Sequence, residues 1–208
     1  MKFLNCKIKL SKKVFQPRIE TEFWVKKAIE ELRSKNKELR ILDIFAGSGC
    51  IGIAVLRTYP ELVERVDFVD ISKEATKQIE INLKLNGITK GKYKIYQSNL
   101  FEKLKNKRYN VIFANPPYVA LDRIREVQKE VWQKEPASAL FAGRDGMCWI
   151  EKFLKEVKNY LKPEGAFYLE FDPQQKEKIK KILEKQGFKF SFRKDQFKKF
   201  RWLKAYPN

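Results

Sequence analysis

The feature that most constrains the fold of this chain is a short apolar run halted by two prolines. Tyr109-Asn110-Val111-Ile112-Phe113-Ala114 leads straight into Asn115-Pro116-Pro117-Tyr118. The run reads as a buried strand of a parallel sheet. Neither proline has an N–H to offer a neighbouring strand, so the strand must stop there. Asn115 is then delivered at the carboxyl end of a central strand, the edge at which open α/β sheets bind ligands. The prolines stiffen the turn, leaving the Asn115 side-chain oxygen and the Pro116 carbonyl as two nearly fixed acceptors. Such a pair suits a planar –NH2 group, each hydrogen taking one acceptor. On these four residues alone, an ordinary Asn-Pro turn closing a strand reads equally well.

A second stretch adds weight. Leu39-Arg40-Ile41-Leu42-Asp43-Ile44 is a hydrophobic strand ending in Phe45-Ala46-Gly47-Ser48-Gly49, which opens into a helix over Ile51 to Arg57. Gly47 and Gly49 let backbone approach a ligand closely. The spacing is not the full Gly-x-Gly-x-x-Gly fingerprint. The next strand, Val66 to Asp70, ends in an acid about twenty residues past the glycines, where a ribose-hydroxyl acceptor belongs. Asp70 could instead cap the helix beginning near Ser72.

The remaining pattern alternates strands and helices. The start, Met1 to Phe15, suggests a β-hairpin turning at Ser11-Lys12-Lys13. A helix follows with the stripe Phe23, Trp24, Ala28, Ile29 and Leu32, with Thr21 or a residue just before it as a candidate cap. Helix Lys73 to Asn86 closes at Gly87, then come strand Tyr93 to Gln97 and the turn Ser98-Asn99-Leu100. Val119 to Gly143 shows no clear strand pattern, contains a helix-like run from Asp122 to Lys134, and reads as a substrate-binding lid. Helix Gly146 to Leu161, strand Ala166 to Phe171 and helix Pro173 to Gln186 lead to a terminal antiparallel pair, Phe188 to Phe192 and Phe200 to Tyr206. The expectation is one doubly wound α/β domain over residues 1–208, with a hairpin over 1–16 and a core over 17–208.

Charge and composition narrow the chemistry. A net charge of +19 favours polyanions or a partner that works on the ribosome, although lysines that merely solvate helix faces would give the same total. The chain has no histidine, so proton transfer falls to Asp, Glu, Lys, Tyr or water. Three scattered cysteines, Cys6, Cys50 and Cys148, suggest reduced thiols in a cytoplasm, with neither a disulfide framework nor a metal site. No apolar run approaches the roughly 18 residues needed to cross a membrane.

These residues resemble the class I S-adenosylmethionine methyltransferases and, within them, the HemK-like glutamine-N5 methyltransferases of peptide release factors. The similarity runs from about Phe15 to Tyr206. Pro17-Arg18-Ile19-Glu20-Thr21-Glu22 resembles the family's Pro-Arg-Pro-Glu-Thr-Glu signature, and Asp43 to Ile51 its donor loop. Asn115-Pro116-Pro117-Tyr118 resembles its catalytic turn, which is shared with many amino-methylating enzymes. Glu135-Pro136, Ala139-Leu140, Gly143 and Asp145-Gly146 resemble its more particular downstream signature.

The resemblance implies a Rossmann-like, seven-stranded, mostly parallel sheet with its last strand antiparallel and S-adenosylmethionine over the carboxyl ends of the first strands. Phe45, Ala46, Gly47, Ser48 and Gly49 would line the methionine end, Asp70 would accept from the ribose, and Asn99 and Leu100 would flank the adenine. Asn115 would touch both donor and substrate. Pro116, Pro117 and Tyr118 would complete the catalytic turn and, with Asn115 and Glu135, the substrate site. The implied substrate is the Gly-Gly-Gln loop of a release factor. Phe45 stands where the family has the first loop glycine, and Asn99 where it has an acid. Bacterial members carry an N-terminal helical domain that has no counterpart before Pro17. Eukaryotic relatives also lack it and use a small activator subunit, a further candidate partner. Two other readings remain: methylation of an exocyclic amine in RNA or DNA, and a non-catalytic basic binding module.

Overall fold

A computed structural model of the chain describes residues 1–11, 14–33, 38–126 and 140–208. It opens with a hairpin of β1 (Lys2–Phe3) and β2 (Cys6–Lys7). The turn is Leu4-Asn5, not Ser11-Lys12-Lys13. Leu4 takes a left-handed φ of 49°, and its amide donates to Glu22 Oε1 at 2.7 Å, which fixes the reversal early. Phe3, Cys6 and Ile8 are buried, so the alternation there aims at the core. Lys12 and Lys13 lie outside the described residues.

Helix α1 (Ile19–Leu32) buries Thr21, Trp24, Val25, Ala28, Ile29 and Leu32, a three-and-four spacing that makes one apolar face. Thr21 does not cap this helix. Arg18 occupies the N-cap position without a side-chain bond, and Thr21 lies in the first turn facing inward. Then follow β3 (Leu39–Ile44), α2 (Cys50–Thr58), β4 (Val63–Asp70), α3 (Lys73–Leu85), β5 (Tyr93–Gln97) and β6 (Tyr109–Ala114). After the segment around 119–146 come α4 (Cys148–Glu156), β7 (Leu161–Glu170), α5 (Lys176–Lys185), β8 (Phe188–Lys194) and β9 (Phe200–Pro207).

The sheet has seven strands in the order β5-β4-β3-β6-β7-β9-β8. Pairs from β5 through β7 are parallel, and β9 runs antiparallel to both neighbours. Residues on β6 alternate between two cores, as its pleat requires. Val111 and Phe113 pack with Trp24, Ile53 and Phe68. Ile112 and Ala114 pack with Phe153, Phe167 and Ile179 on the opposite face. A strand buried on both faces is what a continuous apolar run produces.

Two boundaries differ most from expectation. Helix α4 stops at Glu156 and tightens into a 3-10 turn, Val157–Tyr160, so β7 begins at Leu161 instead of Ala166. Tyr109 pairs with Leu161, but Val111 already pairs with Ala166, so Lys162 to Gly165 bulge out of the ladder. Proline and a left-handed Glu164, at φ 60°, suit such an excursion.

The strand order reverses between β3 and β6, the crevice at which open α/β sheets place a ligand. Val69, Ile44, Ala114 and Leu169 are level across the four central strands. The next residues along, Asp70, Phe45, Asn115 and Glu170, therefore stand in a row at the carboxyl edge.

Candidate active site

A cleft of about 440 Å³ opens along that edge, within the size range of small-molecule sites. One wall is the turn after β3. Ala46 N donates to Val69 O at 3.0 Å and Gly49 N to Ala46 O at 2.7 Å. Gly49, at φ 77°, forms the N-cap of α2, and a Cβ there would press on Ile79 Cγ1 at 3.1 Å. Phe45 to Ser48 line the cleft, whereas Gly49 sits behind them as the hinge into the helix.

Phe45 is the departure that matters on this wall. It adopts φ 60°, the left-handed region that glycine enters freely, so the backbone bend is kept without glycine. Such a conformation costs a bulky residue about 1–2 kcal/mol. Ring contacts with Trp149 and Phe153, each at 6.3 Å between centroids, offset it.

Asp70 closes this wall. One carboxylate oxygen accepts from Gly47 N at 2.8 Å and the other from Ser72 N at 2.8 Å. The helix cap itself is Ser72, whose hydroxyl accepts from Ala75 N at 3.2 Å. Asp70 thus ties the loop to the start of α3 while still lining the cleft. Burial pushes its pKa up, opposed by the Ser72 and Gly47 amides. Behind it, Asp43 accepts from Gly52 N at 2.9 Å, and burial raises its pKa to about 8.

Asn99 and Leu100 form the floor beyond β5. Asn99 Nδ2 donates to Glu102 Oε1 at 2.8 Å, and its buried Oδ1 has no partner among the described residues. A buried acceptor without a partner is uncommon and marks this floor as a place that suits a polar group.

The opposite wall is Asn115 to Tyr118, all four of which line the cleft. Asn115 Nδ2 donates to Thr21 Oγ1 at 3.4 Å, and Thr21 in turn donates to Glu170 Oε2 at 2.8 Å. Trp24 Nε1 donates to the same oxygen at 2.6 Å, and the Tyr118 hydroxyl to Glu170 Oε1 at 2.9 Å. Glu170 is fully buried. Burial pushes its pKa up, while the three donors and nearby Arg201 pull it down. Burial and the neighbouring Glu170 charge hold the Tyr118 phenol far above its usual range. Gln175 Nε2 braces this wall from behind, donating to Tyr118 O at 3.0 Å and Gly146 O at 2.9 Å.

Sequence reasoning did not single out Glu170. Its signal was a glutamate at the end of the apolar run Phe167-Tyr168-Leu169, where an acid is rarely tolerated without partners. Glu135 and most of the expected lid lie outside the described residues. What is described of that segment is its base. Val119 N donates to Leu140 O at 2.9 Å, Ala142 N to Val119 O at 3.0 Å, and Leu121 N to Gly143 O at 3.0 Å. Arg123 pairs with Asp172 at 3.1 Å. Among the described residues, no cluster could hold a metal ion, and no helix is long and apolar enough to cross a membrane.

This sheet order, with a glycine turn after β3, an acid ending β4 and an Asn-Pro-Pro-Tyr turn after β6, defines a Rossmann-like methyltransferase fold. A ribosomal protein L11 methylase from Lactobacillus delbrueckii subsp. bulgaricus superposes with a TM-score of 0.66 at 20% identity, covering 94% of this chain and 82% of that one. Residues 26–143 match the methyltransferase small domain family. The chain belongs to that family. A release factor glutamine methyltransferase of Thermodesulfovibrio yellowstonii is 35% identical over 187 residues, 89% of this chain and 66% of that protein. One from Fusobacterium nucleatum subsp. nucleatum is also 35% identical, over 89% of this chain and 51% of that protein. The chain thus spans about half to two thirds of the length of these curated relatives.

Proposed function

We propose that this protein transfers a methyl group from S-adenosylmethionine to the side-chain amide nitrogen of a glutamine, in the Gly-Gly-Gln loop of a peptide release factor. The observation that carries the proposal is Asn115. Its Nδ2 is turned toward Thr21, which leaves Oδ1 for the cleft. An acceptor there, beside the Pro116 carbonyl, suits the two hydrogens of a primary amide. The names of the relatives supply the substrate class.

The walls fit the donor. Asp70 keeps lone pairs for ribose hydroxyls even while holding Gly47 and Ser72, since a carboxylate can accept about four hydrogen bonds. Asn99 lines the floor where the adenine would sit, and its buried Oδ1 has no partner among the described residues. The donor supplies an electrophilic methyl: the amide nitrogen forms the new C–N bond, the C–S pair stays on sulfur, and the nitrogen's proton passes to water. The amide lone pair is delocalised, so the protein's task is orientation. Asn115 and Pro116 would grip both amide hydrogens and hold the nitrogen in line, and the Tyr118 ring would exclude water from one side. Glu135 would contribute to the substrate site from beyond the described residues. Residues 1–208 would act as one methyltransferase domain.

The test separates three acceptors. Methyl-labelled S-adenosylmethionine is incubated with the protein and, in turn, a release factor, a Gly-Gly-Gln peptide and total RNA. Label on the glutamine of factor and peptide supports the proposal. Label only in RNA would replace it with exocyclic-amine methylation, the reading that the +19 charge favours. A basic surface of that size also suits work close to the ribosome, and a small activator subunit is a further candidate partner.

A further inference from the structure

We infer that Glu170 and Thr21 act as positioning residues that lock the Asn115 amide in one of its two flips, with Oδ1 toward the substrate. The inference deepens the glutamine-methylation reading and rests on it for its kinetic part only.

The two flips of an asparagine amide are nearly equal in shape and opposite in chemistry. With Oδ1 in the cleft, Asn115 accepts a substrate N–H. With Nδ2 in the cleft, it would point hydrogens at the hydrogens of the substrate amide. Something must choose, and the choice is made at Thr21, which is buried at the edge of the same cleft. Trp24 Nε1 has only a hydrogen to give, so Glu170 Oε2, 2.6 Å away, accepts it, as an ionised carboxylate does. The Thr21 hydroxyl donates its single proton to that same carboxylate oxygen at 2.8 Å. Thr21 Oγ1 then has only lone pairs left for Asn115, 3.4 Å away. The partner it accepts is an N–H, so Nδ2 turns back and Oδ1 turns out. The polarity is passed along Trp24, Glu170, Thr21 and Asn115 without a mobile proton.

The geometry of the fold supports the chain at each link. Thr21 and Trp24 are three residues apart in α1 and share a buried face. Glu170 is the last residue of β7, beside the strand that delivers Asn115. Tyr118 holds the second Glu170 oxygen at 2.9 Å, which prevents the carboxylate from swinging away. The Asn115 link is the longest of the set, and such bonds tighten when substrate engages.

The experiment compares Thr21→Val, which keeps shape and loses both roles of the hydroxyl, with Thr21→Ser, which keeps them. Turnover on a Gly-Gly-Gln peptide should fall about 10- to 100-fold in Thr21→Val, with peptide KM and S-adenosylmethionine Kd within about twofold of the parent. Thr21→Ser should return to within about threefold of the parent rate. Independently of any substrate, the Asn115 side-chain N–H signals, assigned by their loss in Asn115→Ala, should exchange with solvent at least about tenfold faster in Thr21→Val. If Thr21→Val fails to fold, Thr21→Ala takes its place. Unchanged turnover in Thr21→Val, Thr21→Ser as slow as Thr21→Val, or unchanged exchange at Asn115 would each overturn the relay. A parent protein that never labels glutamine would overturn the proposed function instead, and the exchange measurement would still decide the relay.

Discussion

The two walls of the cleft are built by different means. The turn after β3 is held by backbone: Ala46, Gly47, Gly49 and Gly52 amides are each bonded within the strand ends or to Asp43 and Asp70. The Asn115 turn has two prolines and correspondingly few amides to give. Side chains hold it instead, reaching from α1, from β7 and from Gln175. The contrast teaches where each wall is vulnerable. A backbone-held wall fails when a carboxylate or a bend is lost, and a side-chain-held wall fails when one hydroxyl or amide is changed.

The sharpest way to break the comparison is Asn115→Ala. Turnover should drop at least about 100-fold, because the acceptor that orients the substrate nitrogen is gone. Donor affinity, measured by calorimetry, should fall far less than turnover, since only the Asn115 contact to the donor is lost and the opposite wall is intact. Equal losses in both would mean that the walls are not independent.

Gly146→Ala probes the brace behind the second wall. A Cβ there would collide with Tyr118 O and approach Gln175 Nε2 at 2.6 Å, at a residue whose φ is 77°. Overpacking of this kind costs about 2–3 kcal/mol. Chemical denaturation should register that loss, and turnover should fall more than donor binding.

Asp70→Ala acts on the first wall. Donor binding should weaken by about 1–3 kcal/mol, because the ribose loses a charged acceptor and the Gly47 and Ser72 amides lose theirs. Calorimetry with unchanged affinity would reduce Asp70 to a loop tie.

The smallest effect concerns neither wall but the approach to them. Attraction by a +19 surface is screened over about 8 Å at physiological salt. The specificity constant on intact release factor should therefore fall by about tenfold or less between low and moderate salt, with turnover at saturation unchanged. A short peptide should show a shallower slope. Identical slopes would sink electrostatic steering.

The same contrast explains what the sequence made legible. The first wall is local: Phe45 to Gly49 are consecutive, and Asp70 ends the very next strand, so the pattern pointed to the loop and the family resemblance supplied the roles. Asn115 to Tyr118 were found because prolines punctuate a strand. The residues that hold Asn115 in place are distant in the chain, Thr21 by 94 positions and Glu170 further along on another strand. Thr21 looked like a helix cap because a threonine before an amphipathic stripe usually is one. Its hydroxyl was claimed by a buried carboxylate that no local pattern announces. The hairpin turn and the start of β7 were misplaced for a related reason: Leu4 and Glu164 adopt left-handed backbone against their residue type.

The paired ends at 119–121 and 140–143 carry a consequence for how such a protein diversifies. Val119 and Leu121 are bonded to Leu140, Ala142 and Gly143 at the rim, so the two ends of this stretch lie side by side. A replacement that begins beyond Arg123 keeps the rim bonds of Val119, Leu121 and Ala142 and the Arg123–Asp172 pair beneath them. Lengthening it costs little in closure entropy, about 0.6 kcal/mol per doubling. The junction is thus a candidate graft point, and exchanging the sequence between its ends would test whether that stretch sets the choice of target.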